Sequence, residues 1–200
     1  MRLWIRAAIA GALVAVSIGV GVVVFGPEPT TPVVFEAKQV AGARGGFGEL
    51  RTPLKLPVPT PSPSDPHADV PVVAIGRIAV PRIGIDTQLY EGIWETVIDV
   101  GPGHWPGTAK PGGWGNTVIA GHRVTYGHPF RDLDELVAGD QIIVSTEDGT
   151  FTYAVTRTWV VDPSAVWVAD QQAGRTLTLF TCHPPGSEAF RYIVRAELVY

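Results

Sequence analysis

Cys182, the single cysteine of this 200-residue chain, stands nine positions before Arg191 and sixty positions after His122. A lone cysteine has no internal disulfide partner, so its contribution is either packing or reactivity. A thiol attacks a carbonyl as the thiolate, and with an unperturbed pKa of ~8.5 it needs a cation or a base beside it near neutrality. Histidine is the side chain suited to exchanging protons in that range. Arginine stays charged and offers several donors, which fits an oxyanion or a peptide carbonyl under attack. The three residue types together read as nucleophilic acyl chemistry on a peptide.

The elements that must position them are short strands. The stretch from Thr176 to Cys182 reads TLTLFTC and stops at Pro184, Pro185 and Gly186, which is the pattern of a strand followed by a loop. A second alternating run, 191–199, follows that loop, so Cys182 and Arg191 are expected at the facing ends of two neighbouring strands. Upstream, Asn116 to Ala120 reads NTVIA and is followed by Gly121 and His122, again a β-branched run with the chemical residue at its exit. His183 adjoins the thiol in sequence, but successive side chains of a strand point to opposite faces, which argues against a direct pair with Cys182; it is expected in the loop or groove. Arg195 alternates onto the face of Arg191 and is the nearest rival for the arginine role. His104 in a Gly/Pro-rich loop and His128 in a turn are expected to be surface or turn-packing groups.

These motifs carry a resemblance to a known family. TLTLFTC ending at Cys182, Arg191 in the following strand, and AGHR around His122 ahead of Pro129 and Phe130 resemble the sortases, cysteine transpeptidases of Gram-positive surfaces. The likeness extends upstream through IAVPRIGID at 78–86 and GPGHWPGT at 101–108. The segment from Gly121 to Phe130 and the Thr-Cys-His-Pro around Cys182 are most similar to class E, the housekeeping type of actinobacteria, although Val124 stands where that class has Thr. The resemblance implies Cys182 as nucleophile, His122 as acid/base and Arg191 as stabiliser of the tetrahedral intermediate. It implies cleavage of a C-terminal sorting signal between Thr and Gly, a thioacyl enzyme, and transfer to an amine of a peptidoglycan precursor, of the lipid II kind, or of a pilin. It also implies a preference for Leu-Ala-x-Thr-Gly over Leu-Pro-x-Thr-Gly, with Tyr126 and Thr181 in the substrate groove.

Residues 7–25 carry no charge and are rich in Val, Ile and Ala, with Arg2 and Arg6 on their amino side. This length fits one bilayer crossing of ~20 residues, and the placement of the arginines predicts a cytoplasmic N-terminus with the rest of the chain outside. Residues 1–26 are therefore expected to be a signal anchor. Residues 27–71 are dense in Pro, Gly, Thr and Ser, and prolines at alternate positions forbid helix and ladder pairing, so this stretch is expected to be an extended stalk. No motif in it points to a lid. Residues 72–200 are expected to form the catalytic domain.

Within that domain, strands are predicted at 73–81, 83–90, 116–120, 141–145 and 151–161, besides the two around Cys182 and Arg191. Short helices are predicted only within 93–100 and 130–137. Seven or eight strands at this spacing indicate an all-β, closed or nearly closed barrel, and the resemblance implies eight strands. Without the two anchor arginines the chain holds 13 basic against 19 acidic residues, which makes nucleic acid a poor partner. The acidic residues are scattered rather than gathered into an oxygen-ligand loop, and one cysteine with five histidines makes a structural zinc site improbable, so neither cofactor nor metal is expected. Two other readings of the residues stand beside the first. One is another cysteine acyl-transferase or peptidase of the wall, although the Ser-His-Gly-Cys arrangement of the L,D-transpeptidases is absent. The other is a catalytically silent barrel that binds wall peptides.

Overall fold

The computed structural model describes residues 55–199. The expected signal anchor at 1–26 and most of the expected stalk lie outside the described residues. All of the described residues fall in one compact unit, Leu50–Tyr200. Among them no helix is long and apolar enough to cross a membrane.

Eight strands close into a barrel: β1 Val73–Val80, β2 Ile85–Glu91, β3 Gly103–His104, β4 Gly115–Ala120, β5 Gln141–Thr146, β6 Gly149–Val161, β7 Arg175–His183 and β8 Phe190–Leu198. The order around the barrel is β1-β2-β3-β4-β7-β8-β6-β5, and β5 closes back on β1 through antiparallel pairs such as Ile78 with Val144. Two contacts are parallel, β2 with β3 and β4 with β7. The rest are antiparallel, with β7 and β8 joined through a short loop and paired along their whole length.

Alternation decides which side chains fill the barrel. Ile78 and Val80 of β1, Ile142 and Val144 of β5, Leu177 and Leu179 of β7, and Val194 and Ala196 of β8, each pair two residues apart along its strand, enter one core with Leu89, Ile119, Phe130 and Tyr153. The β4 strand is buried at every position, because its outer face is covered as well. There Trp105, Val118 and Ala169 form a second apolar cluster with Ile93 and Phe180 packed against it.

The covering segment is the connection from β6 to β7, whose residues Val166–Ala169 form a 3-10 turn. A polar network fastens it to β4. Asn116 Nδ2 donates to the carbonyls of Val168 and Asp170, and Asn116 Oδ1 accepts from Thr178 Oγ1 at 2.7 Å. Buried amides and hydroxyls of this kind are costly unless paired, so the network holds the segment in one register.

A single helical turn, α1 Glu95–Ile98, and 3-10 turns at Pro81–Ile83 and Leu133–Glu135 complete the unit. The helical stretches predicted at 93–100 and 130–137 therefore shrink to one turn each, and the turns at Pro81–Ile83 and Val166–Ala169 had no helical signature. The two-residue β3 also lay hidden inside a Gly/Pro-rich segment.

Candidate active site

The parallel pairing of β4 with β7, Ala120 opposite Phe180, brings two strand exits to one end of the barrel. His122 follows the first, and Cys182 is the last residue but one of the second. The Thr181 hydroxyl donates to the Gly121 carbonyl at 2.7 Å from a buried position, and the Gly121 amide donates to the Phe180 carbonyl at 3.2 Å. The residues immediately before His122 and before Cys182 are thereby tied to each other. Gly121 has no room for a side chain, because a Cβ there would stand 2.7 Å from the Phe130 ring.

Cys182 is directly opposite Arg191 in the β7–β8 ladder. Cys182, His122 and Arg191 all border one open cleft of about 550 Å³, with Thr181 and Tyr126 also on its lining. Arg191 is held by backbone oxygens of the β7–β8 loop and the first residue of β8, its Nη1 donating to Glu188 O at 2.9 Å and Phe190 O at 3.1 Å. A guanidinium so restrained keeps its remaining donors aimed at a fixed place. Arg195, the rival, is buried under the β6–β7 segment, where its Nη2 donates to Val168 O at 3.4 Å. Burial, with Arg157 nearby, lowers its pKa to about 10. Of the two arginines only Arg191 borders the cleft.

His122 is oriented by carboxylates. Its Nε2 lies 2.8 Å from Asp99 Oδ1 and 3.6 Å from Glu95 Oε2, so Nε2 donates and Nδ1 is left to exchange a proton. Its ring lies against Tyr126, with 5.1 Å between centroids and the planes 34° apart. Tyr126 itself is 60% exposed and adopts φ 48°. The ligand atoms of Glu95, Asp99 and His122 come within 4.8 Å of one another, the one such convergence among the described residues. The 2.8 Å contact within it is that of a direct charge-assisted hydrogen bond from His122 to Asp99, with Glu95 Oε2 farther off at 3.6 Å. Neither carboxylate carried a signal in the sequence, because nothing in the spacing of Glu95 or Asp99 marks α1 as lying beside His122.

Arg123 is a third residue missed by sequence reasoning. It is 2% exposed, pairs with Asp134 at 2.6 Å, donates through Nε to Arg131 O, and donates through Nη1 to His183 Nδ1 at 2.7 Å. An arginine donates and does not accept, so His183 Nδ1 is occupied as an acceptor. His183 therefore serves a buried arginine at the cleft margin. His104 is buried and bonded to Glu91 Oε2 at 2.8 Å, to Ala109 O and to Thr108 Oγ1, a turn-packing group inside the fold, while His128 sits exposed in a turn at φ 41°.

The electrostatics at the thiol are mixed. Burial is the largest influence on Cys182 and pushes its pKa up; Arg191 pulls it down, Glu188 and Glu95 push it up, and Arg123 pulls it down. At rest the thiol is thus protonated at neutral pH, and forming the nucleophile requires handing its proton to a base. This arrangement is suited to attack on a carbonyl entering the cleft, with His122 relaying a proton and Arg191 facing the oxygen that gains charge.

Comparison with known proteins places the chain in a family. Residues 78–199 match the sortase domain family. The chain is 34% identical to Sortase SrtE1 of Streptomyces coelicolor over 150 residues, which is 67% of this chain and 43% of that protein. It is 32% identical to Sortase D of Bacillus subtilis over 130 residues, 63% of this chain and 64% of that one. Each match thus spans less than two thirds of the relative's own length. Among solved structures, Sortase E1 from Streptomyces coelicolor with a tripeptide in the active site superimposes with a TM-score of 0.62 at 33% identity, covering 64% of this chain and 89% of that one. A Clostridium perfringens Sortase D5 transpeptidase gives 0.59 at 36% identity, covering 64% and 79%.

Proposed function

Because this chain belongs to the sortase family, most like its class E, we propose that it is a membrane-anchored cysteine transpeptidase. It cleaves a Leu-Ala-x-Thr-Gly or Leu-Pro-x-Thr-Gly sorting signal between Thr and Gly, and joins the threonine to an amine of a cell-wall precursor. The observation that carries this reading is the convergence of Cys182, Arg191 and His122 on one cleft, with Cys182 and Arg191 directly paired across β7 and β8.

The step begins with loss of the Cys182 proton to His122. The sulfur then adds to the threonine carbonyl, and the oxygen that gains charge is met by the Arg191 guanidinium. Collapse expels the glycine amine, which takes a proton from the His122 imidazolium, and leaves a thioester on Cys182. An incoming amine reverses the sequence, giving its proton to His122 and displacing the thiolate. Asp99 supports both halves by holding Nε2, so the imidazole keeps one orientation and its charged form has a carboxylate at 2.8 Å.

The tether and location belong to the same proposal. The uncharged run at 7–25 behind Arg2 and Arg6 supports a single crossing with a cytoplasmic N-terminus and an extracytoplasmic domain, where sorting-signal proteins and wall precursors meet it. The test is product analysis with both peptide types and a glycine or diaminopimelate-type amine. A new peptide bond at the threonine is expected, abolished in Cys182→Ala and reduced by about 10²-fold or more in His122→Ala. Cleavage without transfer points to a peptidase, and full activity in Cys182→Ala overturns the mechanism.

A further inference from the structure

The proline-rich tract ahead of the barrel is read from its composition as a free spacer, yet residues 57–68 are fastened to the domain at two places. At the first, the Thr60 amide and hydroxyl both donate to Pro106 O at 2.9 Å, and the Trp105 indole Nε1 donates to Thr60 O at 2.8 Å. Gly107, at φ 77°, leaves room for this contact, because a Cβ there would stand 2.3 Å from Val58 O. At the second, the Glu95 amide donates to Pro66 O at 2.7 Å and Thr96 Oγ1 donates to Ala68 O at 3.0 Å. Between the anchors, Ser62 and Pro63 border the cleft that holds Cys182, His122 and Arg191, and Pro66 borders it as well.

The first anchor fixes the Trp105 indole, whose ring centroid lies 6.0 Å from that of Phe180, two residues before the nucleophile. The second holds the start of α1, which carries the carboxylates on His122. With the tract seated, the cleft stays open and Cys182 and His122 remain partly exposed, which distinguishes a wall from a cover.

We infer that residues 57–68 form a fixed wall of the substrate cleft, shaping with Ile93, Trp105 and Phe180 an apolar subsite that selects the peptide by an apolar side chain upstream of the scissile bond. The prolines suit this role because their φ is preset, so little chain entropy is lost when the wall and a peptide meet. The inference rests on the transpeptidase reading for the identity of the peptide, and the wall itself has a readout free of catalysis.

The experiment uses the full chain in detergent, unaltered and as the double variant Pro61→Gly, Pro63→Gly, which keeps both anchors and loosens the span between them. Amide exchange comes first: Thr60 and Glu95 N–H groups are expected to be protected in the unaltered protein, and rapid exchange at both overturns the docked wall. Steady-state kinetics with a Leu-Ala-x-Thr-Gly peptide follow. The variant is expected to raise KM about fivefold or more with kcat changed less than about twofold, and to lose part of the discrimination against a peptide whose leucine is replaced by serine. An unchanged KM overturns the inference, and so does a rise in kcat/KM, which would mark a cover. Inactivity of the unaltered protein on every peptide instead overturns the transpeptidase reading, and the subsite with it.

Discussion

At the level of single residues, the thiol is the pivot and its surroundings oppose one another. Burial raises the Cys182 pKa above the ordinary thiol range, Glu188 adds to the rise and Arg191 counters it. Raising an acid's pKa reduces the thiolate at any given pH, so the rate of alkylation of Cys182 by iodoacetamide should still be climbing at pH values where a free cysteine, at ~8.5, is half ionised. Removing a negative neighbour works the other way. Glu188→Gln should shift that profile to lower pH and speed alkylation at pH 7, whereas Arg191→Met should shift it to higher pH and slow it. Equal profiles in all three proteins would show that these charges do not reach the sulfur. The places of the three chemical residues are legible in the sequence because each stands at the end of a patterned run. Asp99 and Glu95 are not, since their approach to His122, a hydrogen bond at Asp99 and a 3.6 Å contact at Glu95, spans 23 residues or more and is made by a helical turn only four residues long and its C-cap. Arg123 escapes for a similar reason: its partners Asp134 and His183 come from two other loops and strands.

At the level of elements, the site depends on a parallel contact between β4 and β7. Alternation shows in the burial of β5 and in the Thr-Leu-Thr-Leu start of β7, adjacent apolar residues interrupt it in β8, and β4 shows as a continuous β-branched run because both of its faces are covered. What alternation does not reveal is which strands become neighbours, and β3 is too short to show any period at all. The bond from Thr181 to Gly121 O is the local tie between the exits of β4 and β7. Thr181→Val keeps the shape but removes the donor, and is expected to cost about 1–3 kcal/mol, which lowers Tm by several degrees. It should reduce kcat more than it changes KM, because the tie sets the positions of Cys182 and His122. A rise in KM with kcat intact would instead mean that Thr181 meets the substrate through its side chain.

At the level of the whole molecule, the barrel supplies a rigid frame, while the chemistry stands at one end of it on strand exits and loops. The excess of acidic residues beyond Arg2 and Arg6 suits amine acceptors better than nucleic acid. The tract at 57–68 joins the frame rather than hanging from it, which composition alone conceals: alternate prolines forbid ladder pairing, but they leave carbonyls free to accept from a neighbouring indole, hydroxyl or amide. Everything in this reading turns on a covalent acyl link at Cys182. The most direct measurement is the intact mass of the protein mixed with a Leu-Ala-x-Thr-Gly peptide in the absence of an amine, followed by fragmentation to locate the adduct. The expected result is a mass gain equal to the peptide's acyl portion ending at threonine, placed on Cys182 and discharged when a glycine amine is added. Peptide cleavage with no adduct on Cys182, or an adduct that persists in Cys182→Ala, would contradict it.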